Sequence, residues 1–298
     1  MTPMGMTDRM LRWMGHQSWL PWSFRIRLVR FFRHPDHTPP TPFEVDFSGM
    51  KYRGSLNVLL DQHVYFFGAY CPRELDLLRK LLELRGPGAT FVDVGANVGH
   101  HSLYLSRHAR AVHSFEPWPV VSQRITEKIA LNDIKNIQVH PVGLSDAAGS
   151  FDFFASASGN SGTGSFSSEL ATGRNQPVGR LNVERGDDYF ARSQITSVDV
   201  MKIDVEGWEP KVLAGLRQTI ARDRPIIFME YSVTTGRSLA NGVQDLLDTM
   251  PGDYVALYVI IGAREYQLLE QPRPETEAEL LLLPRSDKER LLATPMPA

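Results

Sequence analysis

The rhythm of apolar and polar residues changes along the chain, and each change marks an element. From residue 89 onward, apolar runs at 89–94, 110–115, 137–142, 199–204 and 225–231 alternate with stretches of helical period at 98–108, 118–132 and 208–220. Strand-length runs separated by helical patterns predict βαβ units and a mostly parallel α/β sheet with helices on both faces. Ahead of them, "CPRELDLLRKLLELRGPG" (71–88) predicts a helix with Leu75, Leu77, Leu78, Leu81 and Leu82 on one face, stopped by Gly86-Pro87-Gly88. "FEVDFSGMKYRGSL" (43–56) alternates about Ser48-Gly49 and predicts a small hairpin.

Residues 1–37 read as one or two short amphipathic helices, closed by the proline-rich "HPDHTPPTP" (34–42). Within them "FRIRLVRFFR" alternates arginine with apolar residues, a pattern that fits a strand as well as a helix. Residues 151–180 interrupt the βα rhythm: the first half suits an extra strand, the second is Gly/Ser-rich and reads as a loop. "YVALYVII" (254–261) and "REYQLLE" (264–270) are expected to pair as an antiparallel hairpin across Gly262-Ala263. The chain then divides into an N-terminal α+β extension, 1–85, a sheet domain, 86–272, and a tail, 273–298.

Composition changes this picture little. The 298 residues are 42% hydrophobic with a formal net charge of −2, which gives no global case for a nucleic-acid partner. Charge is uneven, however: Arg9, Arg12, Arg25, Arg27, Arg30 and Arg33 stand against only Asp8 and Asp36 in the first 37 residues. This arginine-aromatic stretch has three readings: packing on the core, a dimer interface, or peripheral contact with a membrane. The single cysteine, Cys71, can form neither an internal disulfide nor a cysteine-based zinc site, so a reducing, cytoplasmic setting is expected. No apolar run is long enough for a transmembrane helix or a secretory signal.

Candidate chemistry begins at "FVDVGANVGHHSLYLS" (91–106). In an open α/β sheet, ligands sit beyond the carboxyl ends of the strands, where this glycine loop falls. Gly95 permits a tight turn, and a helix starting near Val98 offers N–H groups suited to a carboxylate or phosphate. The dinucleotide fingerprint G-x-G-x-x-G needs its middle glycine where Asn97 stands, which argues against a nicotinamide-dependent oxidoreductase. Glu116 ends the next strand and is suited to accept from the two hydroxyls of a ribose. Asp146, in "VGLSDAAG", is placed to meet an adenine edge, although the same residues read as an ordinary turn.

At this point the motifs become specific. "FVDVGANVGHHSLYLS", "SFEPWP", "VGLSDAAGSFDFF", "GNSGTGS", "VDVMKIDVEGWEPKVLAGL" and "RPIIFMEYS", in this order over residues 89–232, resemble the FkbM family of S-adenosylmethionine-dependent methyltransferases. The stretch "DQHVYFFGAY" (61–70) resembles a segment ahead of the core in some members. The resemblance implies a class I Rossmann-like core, with seven strands of which the last is antiparallel. It implies O-methylation of a hydroxyl on a sugar, polyketide or other small metabolite, with S-adenosyl-L-methionine as cofactor. Asp93, Gly95, Ala96, Asn97 and Gly99 are the expected cofactor contacts on the first loop. Glu116, Ser145, Asp146 and Asp204 are those expected beyond it.

A second constellation lies in "VDVMKIDVEGWEP", where Lys202, Asp204 and Glu206 follow at i, i+2, i+4, on one face of a strand until it ends. Buried parallel strands are normally apolar, so these charges point to a site. Glu230 ends the following strand and is expected beside them. Methyl transfer to an alcohol needs a proton acceptor or a metal. Asp204, Glu206 or Glu230 suits the first role, and Asp204 with Glu230 suits Mg2+ through oxygen ligands. Lys202 would lower the charge of the cluster or hold an acidic group of the substrate. A structural network that only fixes the strand end is the plainer reading. His101, beside His100, is a further candidate base, His63 a weaker one, and Asn160 and Ser161 are the residues to test in the glycine-serine loop.

Overall fold

The computed structural model describes residues 4–156, 164, 166, 175–231, 242–262, 266–271 and 278–293. Two helices, α1 (Met6–Gly15) and α2 (Trp22–Phe32), open the chain, so the ambiguous arginine-aromatic stretch is helical. The hairpin follows as β1 (Pro42–Phe47) and β2 (Met50–Ser55), paired antiparallel around Ser48-Gly49 as the alternation predicts. Next come α3 (Leu59–Phe67) and α4 (Pro72–Arg85).

The alternating part runs β3 (Thr90–Val94), α5 (His100–Leu105), β4 (Ala111–Phe115), α6 (Pro119–Leu131) and β5 (Ile137–His140). The interruption forms a separate three-stranded sheet from β6 (Gly143–Ser145), β7 (Gly149–Ser156) and β8 (Asn175–Arg185), in the order β6-β8-β7. Then follow α7 (Gly186–Arg192), β9 (Val200–Ile203), α8 (Glu209–Gly215), α9 (Arg217–Asp223) and β10 (Ile226–Tyr231). The described chain ends with α10 (Val243–Thr249), β11 (Tyr254–Ile261), β12 (Tyr266–Leu269), β13 (Ala278–Pro284) and α11 (Arg285–Ala293).

The main sheet has the order β12-β11-β13-β10-β9-β3-β4-β5. Neighbours from β5 to β10 pair parallel, and β13 pairs antiparallel with both β10 and β11. Seven of these strands make the arrangement implied by the family resemblance, and β12 adds an eighth at the edge. β11 and β12 pair as the expected hairpin, while residues 263–265 between them lie outside the described residues.

Two boundaries are corrected. The expected tail from 273 supplies β13, an inner strand whose Leu280–Leu283 are fully buried between two neighbours. A run of four leucines belongs in a sheet covered on both faces. Helix α4, assigned to the extension, buries Leu77, Leu78, Leu81 and Leu82 with sheet residues Phe91, Val112, Val200 and Phe228. The extension keeps a small core of its own, from Leu11, Val29, Phe43, Phe47, Tyr52 and Phe66, which continues onto the sheet domain through Leu103.

The strand order decides where a ligand crevice lies. From β3 the chain moves outward to β4 and β5, then returns to place β9 against the other side of β3. The loops leaving β3 and β9 therefore diverge across a topological switch point, where α/β sheets form crevices. Those loops are residues 95–99 and 204–208.

Candidate active site

At the switch point the two loops are in close contact. Gly95 has φ +81°, and a Cβ there would lie 1.9 Å from the Asp204 carbonyl oxygen. Any other residue at 95 would force the β3 and β9 loops apart, so glycine is required for packing as well as for conformation. Gly99, φ +80°, abuts Ile125 of α6 in the same way.

The backbone N–H groups of the first loop are engaged internally. Gly95 and Ala96 both donate to the Phe115 carbonyl, Asn97 donates to Glu116 Oε2 at 3.0 Å, and Gly99 donates to the Ala96 carbonyl. The helix expected over 98–108 is confined to the six residues of α5. The N–H groups of Gly95, Ala96, Asn97 and Gly99 are thus spent inside the turn and are not offered to a phosphate.

Glu116 sits just beyond β4, and its second oxygen accepts from the Trp118 N–H at 3.0 Å. Two backbone donors hold the carboxyl rigidly while it lines the same cavity as Gly95, Ala96 and Asn97. Burial raises its pKa and these two hydrogen bonds offset part of that, leaving it at about 7. Trp118, Phe153 and Phe166 add aromatic walls, with Phe153 5.9 Å from Trp118 and 5.0 Å from Phe166 between ring centroids.

The second constellation is built on the turn after β9. The strand ends at Ile203, so Lys202 alone of the three expected charges lies on it, and Asp204 and Glu206 lie in the turn. Glu206 adopts φ +53° and Gly207 φ +92°. Buried Glu209 fixes this turn by accepting from the N–H groups of Val205 at 3.0 Å and Gly207 at 3.2 Å. Asp204, Glu206 and Glu230 each present an oxygen within 4.8 Å of the others, so the expected neighbourhood of the β9 and β10 ends holds.

Lys202 is buried and donates to Asp204 Oδ2 at 2.7 Å. Burial opposes ionisation of Asp204, but the Lys202 ammonium prevails and holds the carboxyl below its ordinary range. The other acids go the opposite way. Burial, then the charges of Asp204, Glu206 and Glu209, push Glu230 up to about 8. Burial, then Asp204 and Glu209, push Glu206 up to about 7. Glu230 Oε2 is buried with no hydrogen-bond partner among the described residues.

The cavity has a wall that sequence reasoning missed. Tyr70, Cys71 and Glu74, around the start of α4, face Glu279 of β13 and Phe228 of β10. Glu279 is the Cα partner of Glu230 across the antiparallel pair, and burial followed by Glu74, Asp204 and Glu230 drives it up to about 9. His101 joins this wall, its Nε2 2.9 Å from Glu74 Oε1. Glu74 precedes Leu78 and Leu81 by four and seven residues, so its place on the leucine face was a readable signal. Glu279 had one as well, a lone acid opening the apolar run of a strand.

Other expected residues fall outside the cavity lining. Asp93 is fully buried; its Oδ2 accepts from Ser102 Oγ at 2.6 Å, which ties β3 to α5. Ser145 donates to Asp146 and accepts from Trp208 Nε1 at 3.2 Å, bracing the turn after β9, and Asp146 is exposed. His100 accepts from the Tyr70 N–H and packs on Phe47, with burial depressing its pKa, so it serves the extension interface. His63 packs among Trp22, Phe67 and Tyr70. Asn160 and Ser161 lie outside the described residues.

Three non-glycine cavity residues, Cys71, Asn97 and Glu206, hold left-handed backbone conformations, with φ of 41°, 50° and 53°. Such strain concentrates where surrounding structure overdetermines a site.

Residues 93–254 match the methyltransferase FkbM domain. The chain belongs to this family. The matched span includes Glu116, Lys202, Asp204, Glu206 and Glu230, whereas Tyr70, Cys71, Glu74 and Glu279 of the far wall lie beyond it. Among curated relatives, the FkbM-domain chain is 32% identical over 151 residues to the hexuronic acid methyltransferase AglP of Haloferax volcanii, covering 49% of this chain and 58% of AglP. It is 28% identical over 162 residues to the 2-O-methyltransferase NoeI of Sinorhizobium fredii, covering 50% and 65%. It is 29% identical over 165 residues to the 31-O-demethyl-FK506 methyltransferase FkbM of Streptomyces tacrolimicus, covering 47% and 63%. The chain thus spans 58–65% of the length of these three relatives.

Proposed function

We propose that this FkbM-domain protein is an S-adenosylmethionine-dependent O-methyltransferase acting on a hydroxyl of a small acceptor. The observation that carries the reading is Glu116, held by two backbone N–H groups at the end of β4 and opening into the cavity that contains Glu230. AglP, NoeI and the FK506 enzyme are named for methyl transfer, and two of those names specify an O-linked position.

The donor set fits S-adenosylmethionine better than a pyrophosphate cofactor. Glu116 is placed to accept from vicinal ribose hydroxyls, and the aromatic rings of Trp118, Phe153 and Phe166 suit a flat base. Glu116 and Glu206, when ionised, favour a cationic ligand, and Gly95, Ala96, Asn97 and Gly99 of the first loop have engaged their N–H groups. When bound, the cofactor supplies a methyl group on a positively charged sulfur.

This chain's own residues would do the rest. Glu230 is the proton acceptor we favour, because a carboxyl raised to about 8 is far more basic than an ordinary glutamate. Lys202 keeps Asp204 ionised and oriented. Glu74, His101 and Glu279 line the opposite wall, where Glu279, raised to about 9 chiefly by burial, keeps its proton at neutrality and suits the hydroxyl groups of a sugar-like acceptor. Mg2+ fits the cluster poorly: the Lys202 ammonium already occupies the Asp204 carboxylate at 2.7 Å and would repel a second cation.

Calorimetric titration with S-adenosylhomocysteine tests the reading. Wild type is expected to bind, with affinity rising as Glu116 ionises around pH 7, and Glu116→Ala to lose about 10²–10⁴-fold, as for a pair of hydrogen bonds to a charged group. Absence of binding by wild type sinks the proposal, while an unchanged mutant removes only the ribose assignment.

A further inference from the structure

The exposed apolar side chains of the described residues are concentrated in α1, α2 and the turn between them. The inner side of this pair packs well. Leu11 is fully buried, and Gly15 approaches so closely that a Cβ would lie 2.1 Å from the Phe66 carbonyl oxygen of α3. The outer side has no such cover. Met6, Met10 and Trp13 follow at helical spacing and are 86%, 53% and 61% exposed. Trp19 in the turn is 71% exposed and Phe31 in α2 is 82% exposed. Single exposed apolar residues are ordinary, but a contiguous group marks a contact surface.

Charge selects the partner. Between residues 4 and 33 the only acid is Asp8, which is 3% exposed and bound by Arg33 at 2.6 Å. Arg9, Arg27 and Arg30 are exposed on the same helices. This face therefore presents cations and apolar rings, with a single exposed carboxylate at its margin, Glu44, which is paired with Arg53 at 2.8 Å. A second copy would bring like charges together, and the duplex backbone of a nucleic acid offers nothing for Met6, Trp19 or Phe31 to enter. An anionic bilayer satisfies both features, with rings and thioethers at the acyl boundary and guanidinium groups on the phosphates. Among the described residues no helix is long and apolar enough to cross a membrane, so contact would be superficial.

We infer that the outer face of α1 and α2 docks the protein peripherally on an anionic lipid surface. The inference does not rest on the methyl-transfer reading. The full chain is to be sedimented with phosphatidylcholine vesicles, and with vesicles carrying about 30% phosphatidylglycerol, at low salt. Wild type should partition onto the anionic vesicles with a blue shift of tryptophan fluorescence, and much less onto the neutral ones. Arg9→Glu/Arg27→Glu/Arg30→Glu should lower partitioning by about 100-fold or more, and Trp13→Ser/Trp19→Ser/Phe31→Ser should abolish the blue shift. Both variants should keep the wild-type circular dichroism and melting temperature, since none of these side chains is in a core. Wild type failing to bind anionic vesicles, or folded variants binding as wild type does, overturns the inference. So does a lipid-free dimer that the serine variant dissociates, or preferential binding to duplex DNA over vesicles.

Discussion

Glu230 condenses the electrostatics of the site into one side chain. Its Oε2 is buried without a hydrogen bond among the described residues, its neighbours are acids, and its pKa rises to about 8. Only the ionised form can take a proton from an attacking hydroxyl. Turnover should therefore climb as pH rises through about 8, the direction set by a carboxyl that loses its proton late. Glu230→Gln should remove this limb and cut kcat by about 10²–10⁴-fold, the usual worth of a general base, while S-adenosylhomocysteine affinity stays near wild type. Steady-state kinetics with and without EDTA decide the matter. Chelator sensitivity would restore the metal reading of Asp204 and Glu230, and a pH profile unchanged in the mutant would move the base elsewhere, His101 first.

At the scale of elements, the first loop is held from behind by the extension. Lys128 of α6 is 2% exposed, donates to the Val98 carbonyl at 3.0 Å, and lies 4.7 Å from the Tyr52 ring of β2. Buried Asp61 of α3 provides the opposite charge while accepting from Tyr52 Oη at 2.7 Å and the Ser55 N–H at 2.9 Å. This network ties β2, α3 and α6 to the turn after Asn97. Lys128→Met should destabilise the protein by about 1–3 kcal/mol in urea unfolding, because it removes the hydrogen bond to the Val98 carbonyl and one of the two cations, Lys128 and Arg124, that offset the buried Asp61 charge. Adding Asp61→Asn should recover part of that loss. If the single variant costs less than about 1 kcal/mol, the pair is not coupled as described.

For the whole molecule, the buried acids make stability depend on pH. Glu116, Glu206, Glu230 and Glu279 have folded pKa values of about 7, 7, 8 and 9 against an ordinary 4.5. The folded state binds these protons more tightly than the unfolded chain, so their contribution is complete below about 4.5 and is lost as pH rises through the folded values. His63 and His140 oppose this on the acid side, since burial lowers both to about 4 and their contribution, present above 6.5, fades as pH falls. Between pH 6.5 and about 8 the acids act with little opposition, and the melting temperature should decline across that window. Glu279→Gln should flatten the decline, because the neutral isostere has no proton to lose. A melting temperature that rises over this interval would show that the acids are not buried as described.

The alternation of apolar runs with helical periods was enough to read the parallel strands β3, β4, β5, β9 and β10, the hairpin β1–β2 and the helix α4, because those elements are coded by local spacing. The same local reading located Glu116, Lys202, Asp204, Glu206 and Glu230 at strand ends, where open α/β sheets hold ligands. It gave the wrong affiliation to β13 and α4, since pairing in a sheet and packing against it depend on partners tens of residues or more away along the chain. It also suggested N–H groups on offer at the helix start near Val98 and an Asp93 that contacts the cofactor. Tertiary hydrogen bonds engage the loop N–H groups of Gly95, Ala96 and Asn97 with Phe115 and Glu116, and tie Asp93 to Ser102. The wall of Tyr70, Cys71, Glu74 and Glu279 exists only because α4 and an antiparallel strand converge on one cavity. Sequence by itself determined the parallel strands, the family and the residue types that carry charge into the crevice. Tertiary structure alone decided which of those charges meet, because a carboxyl's basicity and reach are set by neighbours that the chain brings together only on folding.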